Sequence, residues 1–377
     1  ANLTTATMAA LTTTQVQSIE TTDIQALTTR QLGSLATSTI TALSTDQVVA
    51  LSTFQVANLS TATLRALTTD QVQSIETADI QALTTGQLAG LTTTTVKALS
   101  TDQVVALSSF QVANLTTATL ATLTTDQVQA IETADIASLK TAQLAGLATA
   151  TLVALTTDQI SALTVTQVGV MKASQVQAIE TADLAAMTND QVVALSTAQA
   201  ASLSTTSAAA LTSAQVAALE TADLAKLSTD AIAALTTAAL RGLGSDQVAA
   251  LTTGQLAAVS TAQLASLTTA QVAALTTVQA SKLSTDQVTA LTTAQVAAFE
   301  TADLAKLSTD AVVSLSTAQL HVLSTDQISS MTSAQTAALT SDQVGSLTTP
   351  QLAALLAGTQ MSTMTTAQVA SLTTSQV

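Results

Sequence analysis

The sequence predicts an all-α fold, a solenoid of stacked short helices with one helix per eight residues. Three observations predict it. Every eighth residue from Leu3 to Leu355 is apolar without exception, 45 positions in all, so the period is structural rather than incidental. The residue after each is most often Ser or Thr, and Gln most often follows three residues later. The sixth position of each unit is Val, Leu, Ile or Met except at Ala200, Ala208, Ala280, Thr336 and Gln360. A fixed short period marks an array whose units touch only their neighbours.

Each position has a physical reason. Written from its leucine, the unit reads Leu-Thr-Thr-x-Gln-Val-x-Ala, and Leu99-Ser100-Thr101-Asp102-Gln103-Val104-Val105-Ala106 is a clean copy. Ser or Thr followed three residues on by Gln is a capping box. The hydroxyl accepts the N3 backbone N–H, and the glutamine reaches back to the N-cap N–H. The leucine before the cap and the valine four after it form the hydrophobic-staple pair. Asp46, Asp70, Asp102, Asp126 and Asp158 fall at N2, where the helix dipole favours negative charge. Pro350 also falls at N2, where its missing N–H breaks no intrahelical bond.

A new cap every eight residues limits each helix to about six residues, and helices that short are stable only when stacked. Leu99, Val104, Leu107 and Val112 exemplify the inward-facing pairs that form the solenoid core. Burying such a leucine contributes roughly 2 kcal/mol against ~1 kcal/mol for the cap hydroxyl, so the cap sets register. Small residues at position eight allow neighbouring backbones to approach, and Gly90, Gly146 and Gly242 there read as helix C-caps. The third, fourth and seventh positions vary and are expected outside. One continuous helix is excluded, because eight residues overshoot two turns by about 80° and the leucine row would spiral. A β-solenoid is the alternative. Thr and Val suit strands, but apolar positions one and six have opposite parity, so strict alternation fails.

A longer repeat overlies the octads. Ile19–Ser74 closely matches Ile75–Ala130, a shift of seven units, as duplication of blocks would produce. The octad solenoid is expected over residues 1–355, a register break with a kink near Gly358 over 356–363, and a resumed, truncated repeat over 364–377. The chain begins with Ala and stops partway through a unit, so it is expected to be a processed or excised part of something longer. Apolar faces left open at both ends are expected to drive end-to-end self-association, a contact that does not close.

Composition narrows function. Aromatic residues make up 1 %, and apolar residues at 47 % are too many for a disordered tail. The net charge is −15, and the nine Lys and Arg are scattered singly, which argues against nucleic-acid binding. No apolar run is long enough to span a bilayer, so no membrane insertion is expected. The absence of cysteine removes disulfides and thiolate sites, and fits a chain made for an oxidising space.

Six units replace the cap with Glu and the glutamine with Asp: Glu20/Asp23, Glu76/Asp79, Glu132/Asp135, Glu180/Asp183, Glu220/Asp223 and Glu300/Asp303. Two carboxylates three apart suggest a weak Ca²⁺ site or an acid pair, but an oxygen cage needs several convergent ligands. The pairs therefore read as a variant helix start that adds solubility and discourages side-by-side clumping. His321, the single histidine, occupies the variable seventh position without partners for acid–base work. No catalytic residue, cofactor site or metal ligand is assigned. Phe54 and Phe110, at the outward fourth position, read as possible assembly contacts.

The unit Leu-Thr-Thr-x-Gln-Val-x-Ala resembles degenerate octad arrays of very large secreted or surface proteins of Gram-negative bacteria, of the adhesin and RTX-like kind. The resemblance covers nearly the whole chain, although Gly-Gly-x-Gly-x-Asp nonapeptides are absent. It implies an extracellular structural role. The expectation is a non-enzymatic structural repeat protein at the cell surface, a stalk or subunit of a filament, surface layer or adhesin, whose partner is itself. The alternative is a binding module that recognises a surface, glycan or ice through its outer threonine and variable rows.

Overall fold

A computed structural model describes residues 3–357, 363–374 and 376. Among them the fold is all-α: forty-five short helices, and no strand. The chain divides into two compact units, Ala1–Met187 and Thr188–Val377. Within each, the same solenoid-like coil repeats. The β-solenoid alternative is therefore set aside, because the Thr and Val rows serve as caps and core rather than as strands.

The caps decide where each helix starts. Ser100 is extended at φ −70, ψ 162, and its hydroxyl accepts the Gln103 N–H at 3.2 Å. Gln103 Oε1 accepts the Ser100 N–H at 2.8 Å, completing the box. The helix Thr101–Val105 then runs until the next leucine turns the chain. At the end of Thr93–Ala98, Leu99 is already extended at φ −60, ψ 134, and donates its N–H to the Val96 carbonyl. In units capped by Lys140, Lys172 or Gly244 no hydroxyl is present, yet the glutamine still accepts the cap N–H. Pro350 lies in the first turn of Thr349–Leu356, the longest helix described.

Leu99, Val104, Leu107 and Val112 are all buried, and most of the other leucines and valines at positions one and six form the rest of the core in the same way, whereas Leu3 and Val369 are exposed. Helices pair with the third helix along. Thr53–Ala57 packs on Thr77–Ala82, and Ser109–Val112 on Thr133–Ser138. Hydrogen bonds between successive turns reach back 28 to 31 residues, so one turn takes between three and four octads.

The position-eight glycines stand at helix ends, Gly90 as the C-cap of Thr85–Ala89 and Gly146 and Gly242 as the last residues of their helices, with Gly90 in the right-handed conformation at φ −85, ψ −8. No glycine among the described residues has positive φ. A side chain there would collide with the preceding turn. A Cβ at Gly90 would lie 2.2 Å from Thr61 Cγ2, and one at Gly242 2.9 Å from the Ser213 carbonyl oxygen. Close approach is the requirement, to a threonine side chain at Gly90 and to backbone at Gly242.

The kink expected near Gly358, and Gln360 with it, lie outside the described residues. The repeat resumes in the helix Thr366–Ala370, which packs on Ser341–Gly345. No helix among the described residues is long and apolar enough to cross a membrane.

Candidate functional site

The fifth position organises the chemistry of this molecule. The capping box explains only the oxygen of its glutamine. The nitrogen reaches down to the preceding turn. Gln103 Nε2 donates to the Val72 carbonyl at 2.8 Å and to the Ile75 carbonyl at 2.7 Å. Gln111 does the same to Ile80 and Leu83, and Gln255 to Leu224 and Leu227. These carbonyls close the preceding helix and begin the next connection, where helix ends leave acceptors without intrahelical partners. One amide thus satisfies a donor at the start of its own helix and two acceptors of the turn below. Gln103 is 2 % exposed, and both its amide oxygen and its amide nitrogen are hydrogen-bonded.

Other residues fill this position in shorter ways. Thr63, Thr95, Thr119 and Ser207 pair their hydroxyls with the cap hydroxyl at 2.8–2.9 Å. They complete the cap locally, but a hydroxyl is too short to copy the glutamine's bonds to the turn below.

The acidic units correct the expectation of a solvated pair. Their glutamates are exposed, but Asp79, Asp135, Asp183, Asp223 and Asp303 are buried. Each of these five occupies the place of the ladder glutamine, so in their units only the glutamate half can add solubility, while Asp23 of the first pair stays exposed. Three take a hydroxyl from the turn below: Ser109 donates to Asp135 Oδ1 at 2.6 Å, Thr157 to Asp183 Oδ1 at 2.7 Å, and Thr53 to Asp79. Asp135 Oδ2 and Asp303 Oδ2 are buried with no hydrogen-bond partner. Desolvation, followed by the charge of Glu220 or Glu300, raises the pKa of Asp223 and of Asp303, the latter to about 6. Asp79 and Asp135 are also raised, chiefly by desolvation, although hydroxyls of Thr53 and Ser109 pull the other way.

Beside these units the surface opens into acidic clefts. One of about 600 Å³ is lined by Asp102, Val105, Glu132 and Asp135, among others. A second holds Glu20 and Asp46, and a third, in the other unit, Glu220 and Asp246. Among the described residues no group of three or more His, Asp or Glu is placed to hold a metal ion. Phe54 and Phe110 stand 72 % and 71 % exposed, outside the core. His321 is exposed, with its Nδ1 3.4 Å from the Ser346 carbonyl oxygen.

Two features escaped the reading of single units. The downward reach of the glutamine is invisible without knowing which turn lies below. The meeting of Glu20 with Asp46 had a signal: Asp stands 26 residues after five of the six cap glutamates. That spacing becomes meaningful only when a turn is known to take nearly this length.

Comparison with known families gives one result. The pattern of the ALTTAQ repeat matches residues 16–53, 53–85, 72–109, 128–165, 176–213, 216–253, 249–285 and 296–333. No curated protein matches the chain.

Proposed function

The chain belongs to the ALTTAQ repeat family, and from that premise we propose a non-catalytic structural role outside the cell, as a stalk or as a subunit of a filament, surface layer or adhesin. Its mode of action is self-association by stacking turn on turn. The observation that carries this reading is the glutamine ladder. Wherever glutamine stands at position five, its amide takes a pair of carbonyl acceptors of the turn below, and the apolar rows repeat from turn to turn. A turn from a second copy meets the partners that an intramolecular turn would meet, so the contact is heterologous and does not close. The absence of cysteine agrees with an oxidising compartment.

Sedimentation velocity and negative-stain electron microscopy of the purified chain test the proposal. The expected result is a concentration-dependent series of larger species, seen as strings of end-joined particles. A single monomeric species at the highest concentration reached would overturn it.

A further inference from the structure

An asparagine at position eight is followed by the leucine and then by Ser or Thr, which makes the tripeptide Asn-x-Ser/Thr. Three of the chain's four asparagines stand there: Asn2-Leu3-Thr4, Asn58-Leu59-Ser60 and Asn114-Leu115-Thr116, each 56 residues after the last. The fourth, Asn189, is followed by Asp190 and Gln191. The tripeptide is the acceptor for N-linked sugars where it lies in a surface connection. Both described copies do. Asn58 is the exposed C-cap of Thr53–Ala57, and Ser60 is the N-cap of Thr61–Ala66. Asn114 follows Ser109–Val112, is half-buried, and leads to Thr116, the N-cap of Thr117–Leu120.

A second observation falls on the same places. The chain has three aromatic side chains, of which Phe299 is buried while Phe54 and Phe110 are largely exposed. Each of these two stands four residues before one of the asparagines, a spacing that makes neighbours on a helical turn. Asn58 Nδ2 donates to the Phe54 carbonyl at 2.8 Å, and Asn114 Nδ2 to the Phe110 carbonyl at 2.7 Å. These bonds hold each amide beside its phenylalanine and use one of its two N–H groups. A sugar replaces one N–H, so the amide keeps another with which to bond the same carbonyl. The Asn114 oxygen, which accepts from Lys140 Nζ at 2.8 Å, is untouched by the modification.

We propose that Asn58 and Asn114 carry N-linked sugars that lie over Phe54 and Phe110. The face of a phenyl ring is negative and attracts the C–H groups of a pyranose. Transfer takes a separate glycosyltransferase and a glycosyl diphosphate donor. The amide nitrogen bonds the anomeric carbon, the bond from that carbon to the phosphate oxygen breaks, and its electron pair leaves with the diphosphate. The nitrogen gives one proton to a base of the transferase. Leu59 and Leu115 are buried, and the Ser60 and Thr116 hydroxyls are engaged as caps, so transfer precedes the folding of these turns. Fifty-six residues make two turns of about 28, which sets both sites on one side of the coil. Sugars there cover the wall and leave the stacking surfaces of the turns open, so they permit end-to-end association without depending on it.

Peptide mass spectrometry of the full chain, purified from the cells that naturally make it, tests the proposal. A saccharide mass is expected on the peptides that contain Asn58 and Asn114, and none on the peptide that contains Asn189. Ser60→Asp and Thr116→Asp remove the acceptor hydroxyls while keeping a good N-cap, so each should abolish the mass at its own asparagine and leave the circular dichroism spectrum unchanged. In NMR spectra of the modified chain, saccharide C–H resonances should be shifted upfield by the phenyl rings. Phe54→Ser should remove that shift at Asn58 without removing the sugar. The proposal is overturned if both asparagines are unmodified in the natural chain, if sugar is found only on Ser or Thr, if the aspartate variants retain it, or if no upfield shift is seen.

Discussion

At the scale of single residues, a buried polar atom matters here according to whether the turn below answers it. Gln103 is answered at every polar atom. Asp303 is not: its Oδ2 is buried and unpartnered, and its pKa rises to about 6 because burial and then the Glu300 charge disfavour ionisation. The folded chain therefore holds this proton more tightly than the unfolded chain does. Its contribution to stability is full below the unfolded carboxylate pKa of 3.8 and is lost as pH rises through about 6. Denaturant midpoints of the wild-type chain should fall as pH is raised across that window. Asp303→Asn, which has no charge to desolvate, should reduce this fall, with Asp223 still contributing; an unchanged profile would remove Asp303 as a source. Thr336 poses the same problem without titrating. It takes the place of a core valine, is fully buried, and leaves its hydroxyl unpartnered.

At the scale of the helix, the cap and the core have separate duties. The cap box at Ser100 and Gln103 places the first turn, while Leu99 and Val104 hold the helix against its neighbours. Ser100→Ala should cost about 1 kcal/mol, the usual loss for an N-cap hydroxyl. Because Gln103 still holds the cap N–H, as Gln143 does above Lys140, the helix boundary should not move. Amide hydrogen exchange checks both points: faster exchange at the first-turn N–H groups is expected, with the protected segment unshifted. The capping box, the staple and the leucine core were legible in the octad itself, because they join residues less than one unit apart.

At the scale of the whole molecule, each turn is stabilised by the turns directly above and below it, so stability is local rather than shared by one core. A cavity in the first unit should therefore loosen its own neighbourhood only. Leu107→Ala is expected to cost about 2–5 kcal/mol there. Hydrogen exchange should quicken around the helices Thr101–Val105 and Thr133–Ser138, while protection beyond residue 200 stays as it was. Uniform loss of protection along the chain would show global cooperativity instead and would refute a nearest-neighbour array.

The sequence by itself determined the all-α class, the start of every capped helix and the identity of the core, since each follows from interactions within a few residues. Only the tertiary structure decided what the fifth position does and which distant residues meet. That outcome depends on the length of a turn, which arises from how helices pack and not from any signal inside the octad. A turn close to 28 residues brings the Gln103 amide onto the Val72 and Ile75 carbonyls, buries five of the six aspartates of the acidic pairs, and aligns Glu20 with Asp46. A different coil length with the same octad would have kept every cap and joined none of these pairs.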